Sequence, residues 1–140
     1  MNRSQIREVA FQFIYVSEIQ KELEPSQLEE FLENNEIEDE KAKEYVLDIA
    51  NGIKENETQI TKCIEENLKS NWQIDRISKV SLALLKVAIY EIQYKKLPYK
   101  AIINEVVELA KKYGDDNSKQ FINGVLASIV TKLQGENEWK

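Results

Sequence analysis

The segment Ser78–Tyr94 is the feature that most constrains the fold of this chain. Only Lys86, Glu91 and Gln93 interrupt the apolar residues over its last nine positions. Apolar residues at three- and four-residue steps form a stripe too broad for a helix with only one covered side. About seventeen helical residues span roughly 25 Å, which is enough to cross a small domain. We therefore expect this segment to be the central helix of an all-α protein.

The rest of the 140-residue chain also favours helix, since it holds only two prolines and four glycines. Its length suits one domain with its own core. Other patterns of 3.6-residue period predict helices over about residues 3–20, 26–34, 39–55, 57–70, 99–113 and 118–135. A short apolar connector precedes the central helix and contains Trp72, Ile74 and Ile77. No apolar run approaches twenty residues and no signal-peptide core opens the chain, so we expect a cytoplasmic protein outside the membrane.

Two glycines carry structural predictions. Gly114 follows the helical pattern 99–113 and is expected to cap that helix at its C-terminal end. Gly124 lies inside the last helical pattern, where glycine costs about 1 kcal/mol relative to alanine. Because a missing side chain allows close approach, we expect another helix to cross directly against Gly124.

Charge is unevenly distributed along the chain, whose net charge is −6. Residues 22–40 hold nine acidic and no basic side chains, which are expected to face water. The remaining residues hold 19 basic and 16 acidic side chains, a net charge of +3. Electrostatic fields act locally, within a Debye length of about 8 Å at physiological salt. A basic face is therefore compatible with an acidic protein.

Residues that carry out catalysis are scarce. The chain has no histidine, so the usual zinc-site and Ser–His–Asp patterns are absent. Glu105 and Glu108 resemble half of a helical di-metal site, but the Glu-x-x-His elements of such a site cannot form here. Cys63 has apolar neighbours at helical spacing and is expected to pack rather than to react. We predict no enzyme activity, no catalytic residue, no metal site and no cofactor.

One stripe of the first helix suggests a binding surface. Its residues follow at four-residue steps beside the apolar face: Arg3, Arg7, Phe11 and Tyr15. Two guanidinium groups and two aromatic rings suit single-stranded RNA, since charges attract phosphates and rings stack on bases. The alternative is that both rings belong to the core and both arginines are merely solvated. This helix taken alone favours the alternative.

Three strings in the second half of the chain carry a family resemblance. They are LKVAIYE at 85–91, INEVVELAKKYG at 103–114 and FINGVL at 121–126. Trp72 precedes them, and RExAxQxxY at 7–15 agrees with the first helix of the same family. Together these strings resemble the NusB family of bacterial transcription antitermination factors. The resemblance covers essentially the full length and is strongest from residue 72 to residue 126.

The resemblance implies an all-α fold of about seven helices in two small helical bundles packed across each other. The bundles would cover about residues 1–55 and 56–140. It also implies a transcription antitermination factor that binds single-stranded boxA RNA of ribosomal-RNA leader transcripts. Binding would be joint with the small-subunit ribosomal protein that acts as NusE. That complex helps RNA polymerase to pass termination signals, so the function is assembly, without a small-molecule substrate.

Transferred position by position, the resemblance implies an RNA-binding surface at the starts of the first and last helices. Its residues in this sequence are Arg3, Arg7, Tyr15, Asn117, Ser118 and Phe121. Unpaired N–H groups at a helix start attract phosphate, Asn117 can contact a base edge, and the rings of Tyr15 and Phe121 can stack. The resemblance thus favours a binding role for the first-helix stripe.

The sequence departs from the family pattern in two ways. It has fewer arginines near the N-terminus, and Asn117 stands where the family usually has an acidic residue, which removes a repulsion near phosphate. The alternative function is a helical adaptor that binds only protein, with its basic residues keeping it in solution.

Overall fold

The computed structural model describes the backbone of residues 1–21, 25–69 and 72–138, and the side chains of 1–21, 27–69 and 72–134. Within these ranges the fold is all-α, without a β-strand, as predicted. Its helices are α1 (Arg3–Gln20), α2 (Pro25–Asn34), α3 (Glu40–Glu55), α4 (Glu57–Glu66), α5 (Lys79–Ile89), α6 (Tyr99–Tyr113) and α7 (Ser118–Glu138). A 3₁₀ turn, Ile74–Arg76, precedes α5, and a π-helical segment, Tyr90–Tyr94, extends it.

Side-chain caps fix the starts of three helices. Asn2 accepts a hydrogen bond from the Gln5 N–H, and the Gln5 side chain accepts one from the Asn2 N–H. Asp39 caps α3 in a similar way, and Ser78 caps α5 by accepting from the Ser81 N–H at 3.1 Å. Each cap supplies a partner for an N–H group that has none inside its helix.

Helix α5 lies at the centre of the molecule, as predicted. It contacts α1, α3, α4, α6 and α7, and the side chains of Leu84, Leu85 and Val87 are fully buried. One cluster of buried apolar residues extends from Ile6 in α1 to Ile129 in α7. The division into bundles at about residues 55 and 56 stays a prediction. Of the helices in the described ranges, none has the length and apolar character needed to cross a membrane.

The glycine predictions have different outcomes. Gly114 ends α6 as predicted, and its N–H donates to the Ala110 carbonyl at 2.8 Å. The predicted helix crossing at Gly124 is wrong, because a Cβ built there would meet no heavy atom within 4 Å. The close crossing lies in α3 instead, where a Cβ on Gly52 would be 2.1 Å from ring carbons of Tyr90.

The end of α4 also differs from its prediction. The helix ends at Glu66, and the Leu68 N–H continues the chain in a turn by donating to the Glu65 carbonyl. The predicted end near Ser70 lies outside the described residues. Beyond this end, Trp72 of the connector lies beside Phe121 near the start of α7.

Candidate nucleic-acid interface

Arg7 lies in the core, so the exposed position predicted for it at an RNA surface is wrong. Its side chain is only 5% exposed. Its Nε and one terminal nitrogen donate to the carboxylate of Glu91 at 2.6 and 3.2 Å. The same terminal nitrogen donates to the Tyr45 hydroxyl at 3.1 Å, and the other lies 3.7 Å from Glu105. The guanidinium therefore links α1 to α3, to the π-helical segment and to α6.

We call the salt bridge between Arg7 and Glu91 the core ion pair. The Tyr45 hydroxyl is hydrogen-bonded to both of its members. The Tyr45 hydroxyl donates to Glu91, whose carboxylate lies in the π-helical segment and is almost fully buried. Burial and the hydrogen bond to Glu91 raise the pKa of Tyr45 to about 12. Burial alone would lower the pKa of Arg7, but the hydrogen bonds and charge of Glu91 outweigh it and raise that pKa. Buried charges persist only when paired in this way.

Lys86 is a second buried cation that sequence analysis did not assign to a partner. Its Nζ contacts the carboxylates of Glu18 in α1 and Glu57 at the start of α4, the latter at 2.5 Å. Burial alone would lower the pKa of Lys86, but hydrogen bonds to the two carboxylates outweigh it and raise that pKa. Two of the polar residues that interrupt the apolar stripe of α5 are thus ion-pair partners for other helices.

The rest of the first-helix stripe is divided between surface and core. Arg3 is exposed and has no partner among the described residues, so its charge is offered to solvent. Phe11 is in the core, as the alternative predicted, and Tyr15 is half-buried and stacks on it at 6.0 Å. Phe11 also contacts Tyr113, at 5.0 Å between ring centroids. The three rings are thus in consecutive contact from Tyr15 in α1 to Tyr113 at the end of α6.

Tyr113 and its partners join α1 to the end of α6, which sequence analysis did not predict. The Glu8 carboxylate accepts from Lys112 Nζ at 2.6 Å and from the Tyr113 hydroxyl. Gln12 donates to the same hydroxyl at 2.9 Å. Burial alone would raise the pKa of Glu8, but its bonds to Lys112 and Tyr113 outweigh this and lower it. The cluster fixes the turn that leads into α7.

Asp115 organises the start of α7, and sequence analysis missed it. Its carboxylate accepts from the Asn117 N–H and the Ser118 hydroxyl, both at 3.0 Å, and its own N–H donates to Ser118 Oγ at 3.1 Å. These bonds, led by that of the Asn117 N–H, lower the pKa of Asp115. Ser118 is buried, so its hydroxyl is not offered to a ligand. The helix start offers fewer unpaired N–H groups to phosphate than predicted.

Asn117 and Phe121 remain accessible at this helix start. The Asn117 side chain is exposed and has no partner among the described residues. Phe121 is half-buried and packs against Trp72, with ring centroids 5.4 Å apart. Trp72 is itself 46% exposed, although its connector was predicted to be apolar. The described contacts do not join Asn117 or Phe121 directly to Arg3 or Tyr15.

The Trp72–Phe121 rings border a groove of about 540 Å³, which we call the α7 groove. Its lining residues are Glu66, Asn67, Leu68, Lys69, Trp72, Asn117, Gln120, Phe121, Gly124, Val125 and Ser128. Gly124 is exposed here, where its missing side chain leaves the groove open. Aromatic rings, amides and a lysine therefore meet in one concave surface.

Groups with chemical reactivity are not gathered elsewhere in the described part of the chain. No three His, Cys, Asp or Glu side chains cluster there as metal ligands would. Cys63 is half-buried, and burial raises the pKa of its thiol. A raised pKa disfavours the thiolate, which is the reactive form.

Sequence comparison agrees with the resemblance noted above. The model of the NusB family matches residues 4–131. The transcription antitermination protein NusB of Clostridium novyi (strain NT) is 42% identical over 132 residues, which cover 93% of this chain and 98% of that protein. NusB of Bacillus cereus (strain B4264) is 41% identical over 134 residues, covering 95% of this chain and 100% of that protein.

Structural comparison gives the same result. The structure of T. maritima NusB matches with a TM-score of 0.83 and 34% identity, covering 94% of this chain and 92% of that one. A chain in a crystal structure of antitermination factors NusB and NusE in complex with dsRNA matches with a TM-score of 0.84. It is 27% identical and covers 94% of this chain and 99% of that one. The chain described here belongs to the NusB family.

Proposed function

We propose that this chain is a cytoplasmic transcription antitermination factor that binds single-stranded boxA RNA of ribosomal-RNA leader transcripts. It binds that RNA jointly with the small-subunit ribosomal protein acting as NusE, within an antitermination complex on RNA polymerase. The observation that carries this proposal is the match to NusB proteins over 93–95% of the chain, one of them in a crystal structure with NusE and dsRNA. The function is binding and assembly, without a chemical step.

The proposed RNA contacts are Arg3, Tyr15, Asn117 and Phe121. Arg3 and Asn117 are exposed, and the half-buried rings of Tyr15 and Phe121 each keep an accessible part. The side chains of Arg7 and Ser118 are not among these contacts, because both are buried and bonded to other protein groups.

The electrostatic share of this binding should be modest. Lys112 is engaged by Glu8 and Lys111 by Glu108, while Asp115 and Asp116 add negative charge before α7. Few phosphate contacts give a weak dependence of affinity on salt and a weak affinity for RNA alone. We therefore expect the ribosomal partner to tighten RNA binding.

The experiment is a fluorescence-anisotropy titration of labelled single-stranded boxA RNA, with and without the purified ribosomal protein. Scrambled RNA and a boxA duplex serve as matched controls. We expect boxA to bind more tightly than both controls, and each protein to raise the affinity of the other for RNA by the same factor, since linkage is reciprocal. Equal affinity for boxA and scrambled RNA under both conditions would favour the protein-only adaptor.

A pair of identical substitutions tests the proposed surface. Asn117→Asp adds a third acidic residue after Asp115 and Asp116 and should weaken boxA binding by repulsion of phosphate. Asn123→Asp makes the same change at an exposed position of α7 outside the α7 groove. If the two variants lose the same affinity, the start of α7 has no special role.

A further inference from the structure

We propose that the α7 groove is a stacking subsite for an unpaired nucleobase of RNA, with the Trp72 indole as its platform. This inference rests on the proposed RNA-binding function and extends the surface around Asn117 and Phe121. It adds a ring from the α4–α5 connector to contacts that otherwise come from α7 and α1.

Trp72 combines exposure with a fixed orientation. Its side chain is 46% exposed, while the tilted contact with Phe121, at 33° between ring planes, holds one side of the indole. The backbone N–H of Trp72 donates to the Lys69 carbonyl at 2.9 Å, which anchors the main chain beside the ring. An aromatic ring that is exposed but held in place can stack on a base with little loss of conformational entropy.

The groove has the size and shape for a base. Its volume of about 540 Å³ lies within the ~300–1,000 Å³ typical of small-molecule sites. Gly124 lines it, and a Cβ on this residue would meet no heavy atom within 4 Å. The absence of a side chain there leaves room for a flat ring beside α7, at the cost of helix propensity.

The polar groups of the groove suit a base edge and a nearby phosphate. The amides of Asn117 and Gln120 are exposed and have no partner among the described residues, so both can donate and accept hydrogen bonds. Glu66 is the acidic residue of the lining and lies 3.9 Å from Lys62. Lys69 makes no ion pair within the described ranges. Lys69 can therefore pair with a phosphate beside the bound base, while the charge of Glu66 is partly offset by Lys62.

Tryptophan fluorescence measures the proposed contact directly. Trp139 is the only other tryptophan of the chain, so Trp139→Phe leaves Trp72 as the single reporter. Single-stranded boxA RNA should quench this fluorescence. The quenching should reach its limit at the same RNA concentration at which the anisotropy titration shows full binding. Unchanged fluorescence while RNA binds would overturn the subsite. A change caused by the ribosomal protein alone, without any further change on RNA addition, would assign the groove to protein contact and also overturn it.

Substitutions on both sides of the groove give an independent test. Trp72→Leu should weaken boxA binding roughly 5- to 150-fold, the effect of losing one stacked base, while leaving the salt dependence unchanged. Trp72→Phe should retain most of the affinity because it keeps a ring. Tyr94→Leu is the matched control, since Tyr94 is an exposed ring outside the groove. Gly124→Leu should also weaken binding by filling the groove, since there is open space around the position of its Cβ.

The outcomes separate this inference from the proposed function. If Trp72→Leu and Gly124→Leu are folded and bind boxA as the unmodified protein does, the subsite is wrong and the proposed function stands. If the unmodified protein binds no boxA RNA with or without the ribosomal protein, both are wrong. Thermal melts of each variant establish that the compared proteins are folded.

Discussion

The core ion pair and the α7 groove place charged and aromatic side chains in opposite surroundings. Arg7 and Glu91 are enclosed by helices, and their polar atoms bond to each other and to Tyr45. Trp72 and Phe121 pack on each other at the surface, beside the exposed amide of Asn117, which has no partner among the described residues. The comparison shows that a guanidinium can serve to join helices, while an indole in an apolar connector remains exposed at the surface.

The largest effect should follow from breaking the core ion pair. Glu91→Ala leaves the Arg7 guanidinium buried without its main partner, which should lower the free energy of unfolding by about 3–5 kcal/mol. Glu108→Ala, at an exposed ion pair on α6, should change it by no more than about 0.5 kcal/mol. Urea denaturation measures both.

A double variant sharpens the same prediction. Arg7→Met with Glu91→Leu removes both charges and should cost less stability than Glu91→Ala alone. It should bind boxA RNA as well as the unmodified protein does, because neither side chain faces solvent. A loss of salt dependence in this folded variant would mean that Arg7 contacts phosphate after all.

Apolar truncation should distinguish core from groove. Leu85→Ala removes a fully buried side chain and should cost about 2–5 kcal/mol of stability through the cavity left behind. Phe121→Ala removes a half-buried ring and should cost less stability but more RNA affinity. Urea denaturation and RNA titration of both variants test this prediction. Equal losses of stability would mean that the Phe121 ring serves the core as Leu85 does.

Alkaline pH should weaken the core ion pair. The pKa of Tyr45 is about 12 in the folded protein, above its ordinary value of 10.0, so the protonated hydroxyl stabilises the fold below pH 10. That contribution is lost as pH rises from about 10 to about 12. Tyr45→Phe removes a hydrogen bond to a charged group and should cost about 1.5–3 kcal/mol at neutral pH.

The pH dependence supplies the control for this prediction. Tyr45→Phe should lose less stability than the unmodified protein between pH 10 and 12, with a remainder due to other groups whose pKa values are raised, among them Tyr90, Tyr113 and Lys86. Tyr94→Phe removes the hydroxyl of an exposed tyrosine outside the core ion pair and is the matched control at neutral pH. Parallel curves for Tyr45→Phe and the unmodified protein would contradict the role assigned to Tyr45.

The smallest effects should come from the two glycines, and they should have opposite signs. Gly52→Ala forces a Cβ against the Tyr90 ring and should cost about 1–3 kcal/mol. Gly124→Ala meets no neighbour and should stabilise the protein by about 1 kcal/mol through helix propensity. Thermal melts measure both, and a destabilised Gly124→Ala would mean that another helix does contact this position.

Local signals predicted the helices well because they depend on near neighbours in sequence. Ser78 and Gly114 mark helix ends through their own hydrogen bonds, and the apolar stripe of α5 is covered on all sides as its breadth indicates. The bundle boundary and the RNA contacts stay predictions. The family resemblance is confirmed by comparison, and it supports a proposed function that helix periodicity alone does not suggest.

Partners distant in sequence account for the failures. Arg7 and Glu91 are 84 residues apart, and Lys86 and Glu18 are 68 residues apart. Patterns among near neighbours in sequence therefore cannot predict either ion pair. The exposure of Trp72 depends on where α7 begins, and the freedom of Gly124 depends on which helix face meets solvent. Both are properties of the packed molecule.

The most direct test is an NMR titration of ¹⁵N-labelled protein with single-stranded boxA RNA, in the presence of the ribosomal protein. It observes both regions in one experiment, through the backbone amides of Asn117, Phe121 and Gly124 and through the Nε–H of Arg7. We predict that the α7 amides shift or broaden beyond the change caused by the ribosomal protein alone, while the Arg7 Nε–H, held by Glu91, keeps its position. A titration in which Arg7 responds and the three α7 amides do not would contradict the account.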